Sequence, residues 1–566
     1  MPLTADDSRV VDGLLTGGVD TRRGSRLVTS RALWPRLAAT LTEVTMNSNP
    51  GEVCSTGMNR RRFLQLGAAS VAGATLGLSG CAAPSSDAVN LQLVHATTGG
   101  GLKDTLDPHF PVSYPDIARV RQLFEPLMRF NSAFEMEHCL AEEVEHNADA
   151  TEWTFRLRQG LRFHDGRPVR ATDLKASMER MLNPKNPATQ ASDIAAIADL
   201  GGSRMLDDRT YRLKLTSPYA ILDAVMAGYA LGIVPEDFDI KRPIGTGPFK
   251  FDIFVPGQRS RFLRFDEYWD IKASFEELVI LNFTDDAAKV NALLAGQVQS
   301  LDNLPTYLAG AIEGQGAKTL VSETGGWVPF TMRVDTKPFS DNRVRQAMRL
   351  IVDRQQIIDQ AFNGFGRVAN DLYAPFDPDY IGGELPQRGP DVDKARSLLK
   401  SAGYENLQVE LVTSTGVGAG AVEAASLFVQ QAKAAGVDVR LNKVDGAVFF
   451  GDQYLSWVFA QDFWSTRLYL PQAAASSLRS SPYNETHFFD ERFAGLIKAA
   501  QREVDPARRR RLVQDAQRIE FEEGGYIIWG FQNQVDAYSN FVTGLEPARE
   551  QPVSAFRFNR VRPAMP

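Results

Sequence analysis

From Leu91 onward the chain alternates between two hydrophobic rhythms. Glu152-Trp153-Thr154-Phe155-Arg156-Leu157-Arg158 places its apolar residues at every second position, predicting a strand that ends at the Gln159-Gly160 turn. Leu161-Arg162-Phe163 predicts a second strand running into a His164-Asp165-Gly166 turn, after which Thr172-Asp173 opens a helix with a capping hydroxyl and an acid in its first turn. Further on the period changes. Val290, Leu293 and Leu294 share one face of a helix over 287–295, with Gly296 placed to end it. Ser340-Asp341 opens a helix striped by Val344, Ala347, Met348 and Ile351. Asp505-Pro506 opens another with Leu512, Ala516 and Ile519 inward, its Arg508-Arg509-Arg510-Arg511 run forming a solvated face. Strand, hairpin turn and helix in succession, without internal repeats, predict a mixed α/β architecture.

The N-terminal region follows neither rhythm. Met58-Asn59-Arg60-Arg61-Arg62-Phe63-Leu64-Gln65 precedes an uncharged run of 13 residues, Leu66 to Leu78, which ends in Leu78-Ser79-Gly80-Cys81. Basic head, apolar middle and small-residue processing site are the order of an export signal. A helix needs about 20 apolar residues to cross a bilayer core, so the run reads as removable. Arg60 and Arg61, with Phe63 and Leu64, resemble a twin-arginine export motif, and Leu78-Ser79-Gly80-Cys81 resembles a bacterial lipobox with Cys81 as the lipidated first residue. The expected parts are a disordered leader or misassigned start over 1–57, a signal over 58–80 and a lipidated tether over 81–87. Met46 and Met58 are alternative starts. Several acyl chains on Cys81, at about 0.8 kcal/mol per buried methylene, would hold the protein at a membrane surface outside the cytoplasm.

Beyond the signal 486 residues remain, too many for one core and enough for two or three domains. With 43% hydrophobic and 23% charged residues the composition is that of a globular protein, and a net charge of −7 argues against nucleic acid as a partner. Cys139 alone lies beyond Cys81, so the expected mature chain has no internal disulfide, and Cys139 reads as a small buried hydrophobe.

Catalytic patterns are missing. The sequence has no Gly-x-Ser-x-Gly elbow, Walker loop, His-Glu-x-x-His or Cys-x-x-Cys, and its six histidines never share a helical turn. His164-Asp165 reads as part of a turn rather than a catalytic dyad, and Gly416-Val417-Gly418-Ala419-Gly420 as a flexible turn rather than a phosphate loop. No enzyme activity, metal or cofactor is expected; an exported hydrolase is the alternative from another class.

Several segments resemble, in order, a known family. They include Leu106-Asp107-Pro108-His109, Leu123-Phe124-Glu125-Pro126-Leu127, and the run from Trp153 through Phe163-His164-Asp165-Gly166 to Ala171-Thr172-Asp173-Leu174. Gly245-Thr246-Gly247-Pro248-Phe249, Leu293-Leu294-Ala295-Gly296-Gln297, the stretch from Lys337-Pro338-Phe339-Ser340-Asp341 to Ala347, and Ala402-Gly403-Tyr404 follow. Together they are similar to the bacterial extracellular solute-binding proteins of family 5, the peptide- and nickel-binding subunits of ABC importers. The resemblance implies a periplasmic-binding-protein type II fold: two lobes, a hinge near Phe330 and Gly525, and a small third domain. The first lobe would comprise 88–130, 204–330 and 526–566, the small domain 131–203 and the second lobe 331–525. It implies a monomer that closes on a small-molecule or peptide ligand and delivers it to a membrane permease, after export by the twin-arginine translocase and lipoprotein processing. A ligand-presenting sensor would use the same body.

In peptide-binding members an aspartate in a segment resembling Trp457-Val458-Phe459-Ala460-Gln461-Asp462 receives the ligand's ammonium, which makes Asp462 the first candidate contact. The family usually continues with an aromatic and Asp-Pro, whereas this chain continues with Phe463-Trp464-Ser465-Thr466-Arg467. Phe459, Trp464, Tyr114, Trp327 and Trp529 are the aromatic candidates, placed by analogy at the cleft or hinge. Peptide, metal chelate, opine and oligosaccharide all remain open as ligand.

Overall fold

The computed structural model describes residues 91–564. The signal and anchor candidates, Arg60, Arg61, Phe63, Leu64 and Cys81, and the segments 1–57, 58–80 and 81–87 lie outside the described residues. Among the described residues no helix is long and apolar enough to cross a membrane.

Two sheets organise two lobes. The first has eight strands, in the order Ala317–Gly326, Gly530–Ser539, Ser300–Leu301, Gln92–Thr98, Glu277–Phe283, Arg259–Arg264 and Phe249–Val255, with Gly366–Val368 also paired to Gly530–Ser539. Gln92–Thr98 runs parallel to both of its neighbours, the mark of crossover connections rather than hairpins. The second sheet has the order Asp438–Lys443, Gln408–Thr413, Phe459–Gln461, Phe330–Met332 and Tyr526–Ile527. Its parallel pair 408–413 and 438–443 is bridged by the helix Ala421–Ala434.

A four-stranded antiparallel sheet, Ala141–His146, Glu152–Leu157, Thr210–Leu215 and Ala198–Met205, forms the small domain. The expected boundary at 203 is corrected here, because Thr210–Leu215 pairs along Glu152–Arg156 and belongs to this sheet. The boundaries at 331 and 525 also shift slightly, since Phe330 and Tyr526–Ile527 are strand residues of the second sheet.

The start signals acted largely as the sequence suggests. Asp285, Asp341 and Asp505 each cap a helix by accepting a backbone N–H of its first turn, and Gly296 takes a φ of +72° after the helix Asp286–Leu294. Thr172 departs: the helix begins at Ala171, and it is Asp173 that reaches back to accept the Arg170 N–H at 2.9 Å. In the helix Pro506–Glu523 the buried stripe is Val513, Ala516, Gln517, Glu520 and Phe521, while Leu512 and Ile519 are only half-buried. Polar residues occupy the inward face because they meet polar partners, a pattern apolar periodicity does not encode.

Three quoted motifs converge on one joint. His164 Nδ1 accepts the Gly245 N–H at 3.2 Å, its Nε2 donates to Gly247 O at 3.0 Å, and burial lowers the ring's pKa to about 4. Gly245 and Gly247 lie so close to the Gln122 and Leu123 carbonyls that a Cβ on Gly247 would stand 2.3 Å from Gln122 O. His164 is therefore a structural clamp between the small domain and the first lobe, and Asp165 bonds Arg167 instead of the imidazole. Cys139 is buried, and burial pushes its thiol well above the ordinary range.

Candidate functional site

The segments 327–329 and 528–529 link the two large sheets. Trp327 and Trp464 exchange reciprocal backbone hydrogen bonds of 3.0 and 2.9 Å, so the loop after strand Phe459–Gln461 is tied directly to the linker. The Trp327 ring stacks on Trp464 at 6.1 Å and on Tyr373 at 5.6 Å, and meets Tyr526 edge to face at 5.2 Å. Surrounded in this way it is only 2% exposed. Such aromatic pairs contribute roughly 0.5–1.5 kcal/mol each beyond their buried area.

Beside these rings lies a pair of buried carboxyls. Asp462 leaves the end of strand Phe459–Gln461; its Oδ2 accepts from the Tyr454 hydroxyl at 3.0 Å and its Oδ1 from the Phe463 N–H at 2.7 Å. Glu485 accepts from Trp464 Nε1 at 3.0 Å and from the Tyr526 hydroxyl. Burial raises both acids, the neighbouring Asp462 charge raises Glu485 further, and the two carboxyls hydrogen-bond each other. Among the described residues no cation forms an ion pair with either. Two like charges in contact cannot both ionise cheaply, so the pair holds a proton.

A cavity of about 1080 Å³, counted with its open mouth, lies next to this cluster. Asp193 and Tyr229 line one side, Arg467 and Tyr483 come from the second lobe, and Glu550 from the C-terminal segment. The helices flanking it continue one apolar core from the small domain into the second lobe, from Trp153 and Leu213 through Trp327 to Phe493 and Val513.

Of the residues singled out from sequence, Asp462, Trp464 and Trp327 come together. Phe459 does not reach them: it is 1% exposed and packed among Phe330, Phe339 and Phe428 in the second lobe's core. Trp529 is fully buried against Phe362 in the same core. Both are strand or linker residues that neighbouring helices cover. Tyr114 begins the helix Tyr114–Leu123, packs near Phe556 in the first lobe, and does not line the cavity. Glu485, Tyr454 and Tyr483 escaped sequence reasoning, since no periodicity or spacing connects them to Asp462. Arg467 stood at the end of the very segment that departs from the family pattern, and that departure was its signal. Among the described residues no group of three or more His, Cys, Asp or Glu side chains is arranged to hold a metal ion.

Comparison with known proteins agrees with this architecture. The chain is 27% identical to di/tripeptide-binding protein 2 of Pseudomonas aeruginosa over 75% of its own length and 86% of that protein's. It is 23% identical to the glutathione-binding protein GsiB of Salmonella typhimurium, over 78% of this chain and 89% of that one. Among solved structures, the ABC transporter substrate-binding protein CtaP of Listeria monocytogenes superposes with a TM-score of 0.75 at 18% identity, covering 84% of this chain and 99% of that one. The fold is thus the two-lobed periplasmic-binding-protein type with several sheets. Residues 135–485 match the profile described as bacterial extracellular solute-binding proteins, family 5 middle, and the chain belongs to that family.

Proposed function

We propose that the protein captures a peptide-like solute in the cavity between its lobes and small domain, and delivers it to an ABC permease while anchored by lipid on Cys81. The observation that carries the reading is the cavity itself, lined by residues from three parts of the fold, among them Asp193, Tyr229 and Arg467. A ligand that touches all three parts binds the closed arrangement better than the open one, and shifts the population in proportion to that difference. The names of the relatives, di/tripeptide- and glutathione-binding, support a peptide-like solute.

In this reading the Asp462–Glu485 pair, which neighbours the cavity without lining it, receives the solute's ammonium once the ligand displaces the wall between them. A buried carboxyl pair without a cation is a place where an arriving positive charge replaces a shared proton, so binding would release protons as it neutralises the site. Trp464, joined to Glu485 and stacked on Trp327, would transmit occupancy to the linker. The twin-arginine pair Arg60-Arg61 would export the chain folded, and Cys81 would tether it outside the cytoplasm.

Calorimetric titration with short peptides tests the site. Asp462→Asn should weaken binding of a peptide with a free amino terminus by roughly tenfold or more, and leave an N-acetylated peptide unaffected. Equal affinity of Asp462→Asn and the parent protein for the free amine would remove Asp462 from the account. Intact mass of the membrane fraction tests the anchor, with diacylglycerol on Cys81 as the expected result.

A further inference from the structure

Arg467 lies on the loop between Trp464 and the helix Tyr469–Ser476, partly exposed, against the cavity. Among the described residues it is the only cationic side chain lining that cavity. Among the described residues no carboxylate lies within salt-bridge distance of it, and none accepts a hydrogen bond from its guanidinium. Its close neighbour is a ring face: the guanidinium carbon stands 5.3 Å from the Trp464 centroid. Stacking on an indole fixes the plane of the fork while leaving its N–H edge free.

Two carboxylates line the same cavity. Glu550 is engaged with Arg121 at 2.7 Å. Asp193, on the short helix Ser192–Ala195, has no ion pair among the described residues and faces the same space, near enough for its charge and that of Arg467 to act on each other. The protein around the cavity lowers the guanidinium's pKa and raises that of Asp193; Asp193 is exposed and Arg467 partly exposed toward the cavity, and among the described residues neither charge has a direct ionic partner. The fork of an arginine matches a planar carboxylate in bidentate geometry.

We propose that Arg467 is the anion receptor of the cavity, and that the ligand presents a free carboxylate to it. The natural solute is then a short zwitterion, its carboxylate on Arg467 and its ammonium toward the Asp462–Glu485 pair beside the cavity. This rests on the solute-capture reading above and extends it to the charge of the ligand.

The test uses the full processed protein and three variants, Arg467→Gln, Arg467→Lys and Asp193→Asn, each with its unliganded melting temperature recorded. The probes are a pool of free-acid dipeptides, the same pool with C-terminal amides, and sodium acetate against sodium chloride at equal ionic strength. The parent should prefer the free acids over the amides by roughly 10- to 100-fold, with Arg467→Gln losing the preference and Arg467→Lys keeping part of it. Acetate should raise the melting temperature of the parent but not of Arg467→Gln. If both pools bind the parent equally, the anion receptor is overturned while peptide capture stands. If neither pool binds but acetate stabilises the parent through Arg467, peptide capture fails and the anion receptor stands. If Asp193→Asn and Arg467→Gln lower both pools alike, Arg467 serves as an interdomain latch and the proposal is overturned. Acetate acting equally on the parent and Arg467→Gln, with neither pool bound, overturns both readings.

Discussion

Replacing Glu520 by glutamine should change how the stability of this protein depends on pH, and the structure sets both sign and size. Glu520 is 2% exposed on the helix Pro506–Glu523, accepting from the Tyr469 hydroxyl at 3.0 Å and from the Ser477 hydroxyl at 3.2 Å. Burial raises its pKa from 4.5 to about 7, the surrounding hydroxyls offsetting only part of the shift. An acid with a raised folded pKa contributes stability that is fully present below its unfolded pKa and is lost as pH rises through the folded value. The window therefore runs from about pH 4.5 to pH 7, and a shift of that size corresponds to about 3 kcal/mol at 1.36 kcal/mol per unit. Glutamine keeps the shape and the acceptor oxygen but never ionises. Urea unfolding at several pH values should show Glu520→Gln within about 1 kcal/mol of the parent at pH 5 and more stable by roughly 2–3 kcal/mol at pH 8. Asp536, buried and also raised to about 7, gives the parent a slope of the same sign, so the difference between the two proteins isolates Glu520. Parallel stability curves for variant and parent from pH 5 to 8 would refute the reasoning.

Three further outcomes follow from packing. Gly247→Ala, whose new methyl would stand 2.3 Å from the Gln122 carbonyl oxygen, should cost roughly 2–4 kcal/mol in chemical denaturation, whereas Gly310→Ala, with open space around its Cβ, should stay within about 1 kcal/mol of the parent. Arg349→Leu should destabilise by roughly 2–4 kcal/mol, because the fully buried guanidinium donates to the Tyr526, Phe521 and Gly524 carbonyls and its loss strands them; hydrogen exchange should rise first around 521–527. Asp341→Ala removes the acceptor of the Arg343 N–H at the start of the helix Asn342–Ile351 and should lower stability by about 1 kcal/mol, with Asp341→Asn recovering most of it.

How much of this was legible beforehand follows from what each signal depends on. Strand alternation at Glu152–Leu157, the Val344-Ala347-Met348-Ile351 stripe and the aspartate caps are local patterns, fixed by neighbours within a turn or two of backbone, and the structure bears them out. Buried polar stripes are not local. Gln517 faces inward because the Ile381 N–H and the Asp379 carbonyl await it from another segment, and Arg345 and Arg349 are buried because they close the carbonyls at the end of the helix Pro506–Glu523. A periodicity argument counts all three inward polar residues as solvent-facing.

The candidate site divides in the same way. Asp462 and the two tryptophans were found because a family pattern names such positions, yet Phe459 and Trp529 were drawn in with them, since a sequence cannot tell an aromatic that lines a cleft from one that neighbouring helices cover. Glu485 lies in Asn484-Glu485-Thr486, an unremarkable loop, and gains its meaning only where folding sets it against Asp462, Trp464 and Tyr526. The amino-acid sequence by itself determined the element types, the ordered motifs and the family, because hydrogen-bonded turns, caps and amphipathic faces are encoded within short windows. Only the tertiary structure decided which charges are left without partners. Pairing of Asp462 with Glu485 and the open guanidinium of Arg467 depend on contacts between segments far apart in the chain, where burial converts ordinary side chains into groups that a ligand's charge can satisfy.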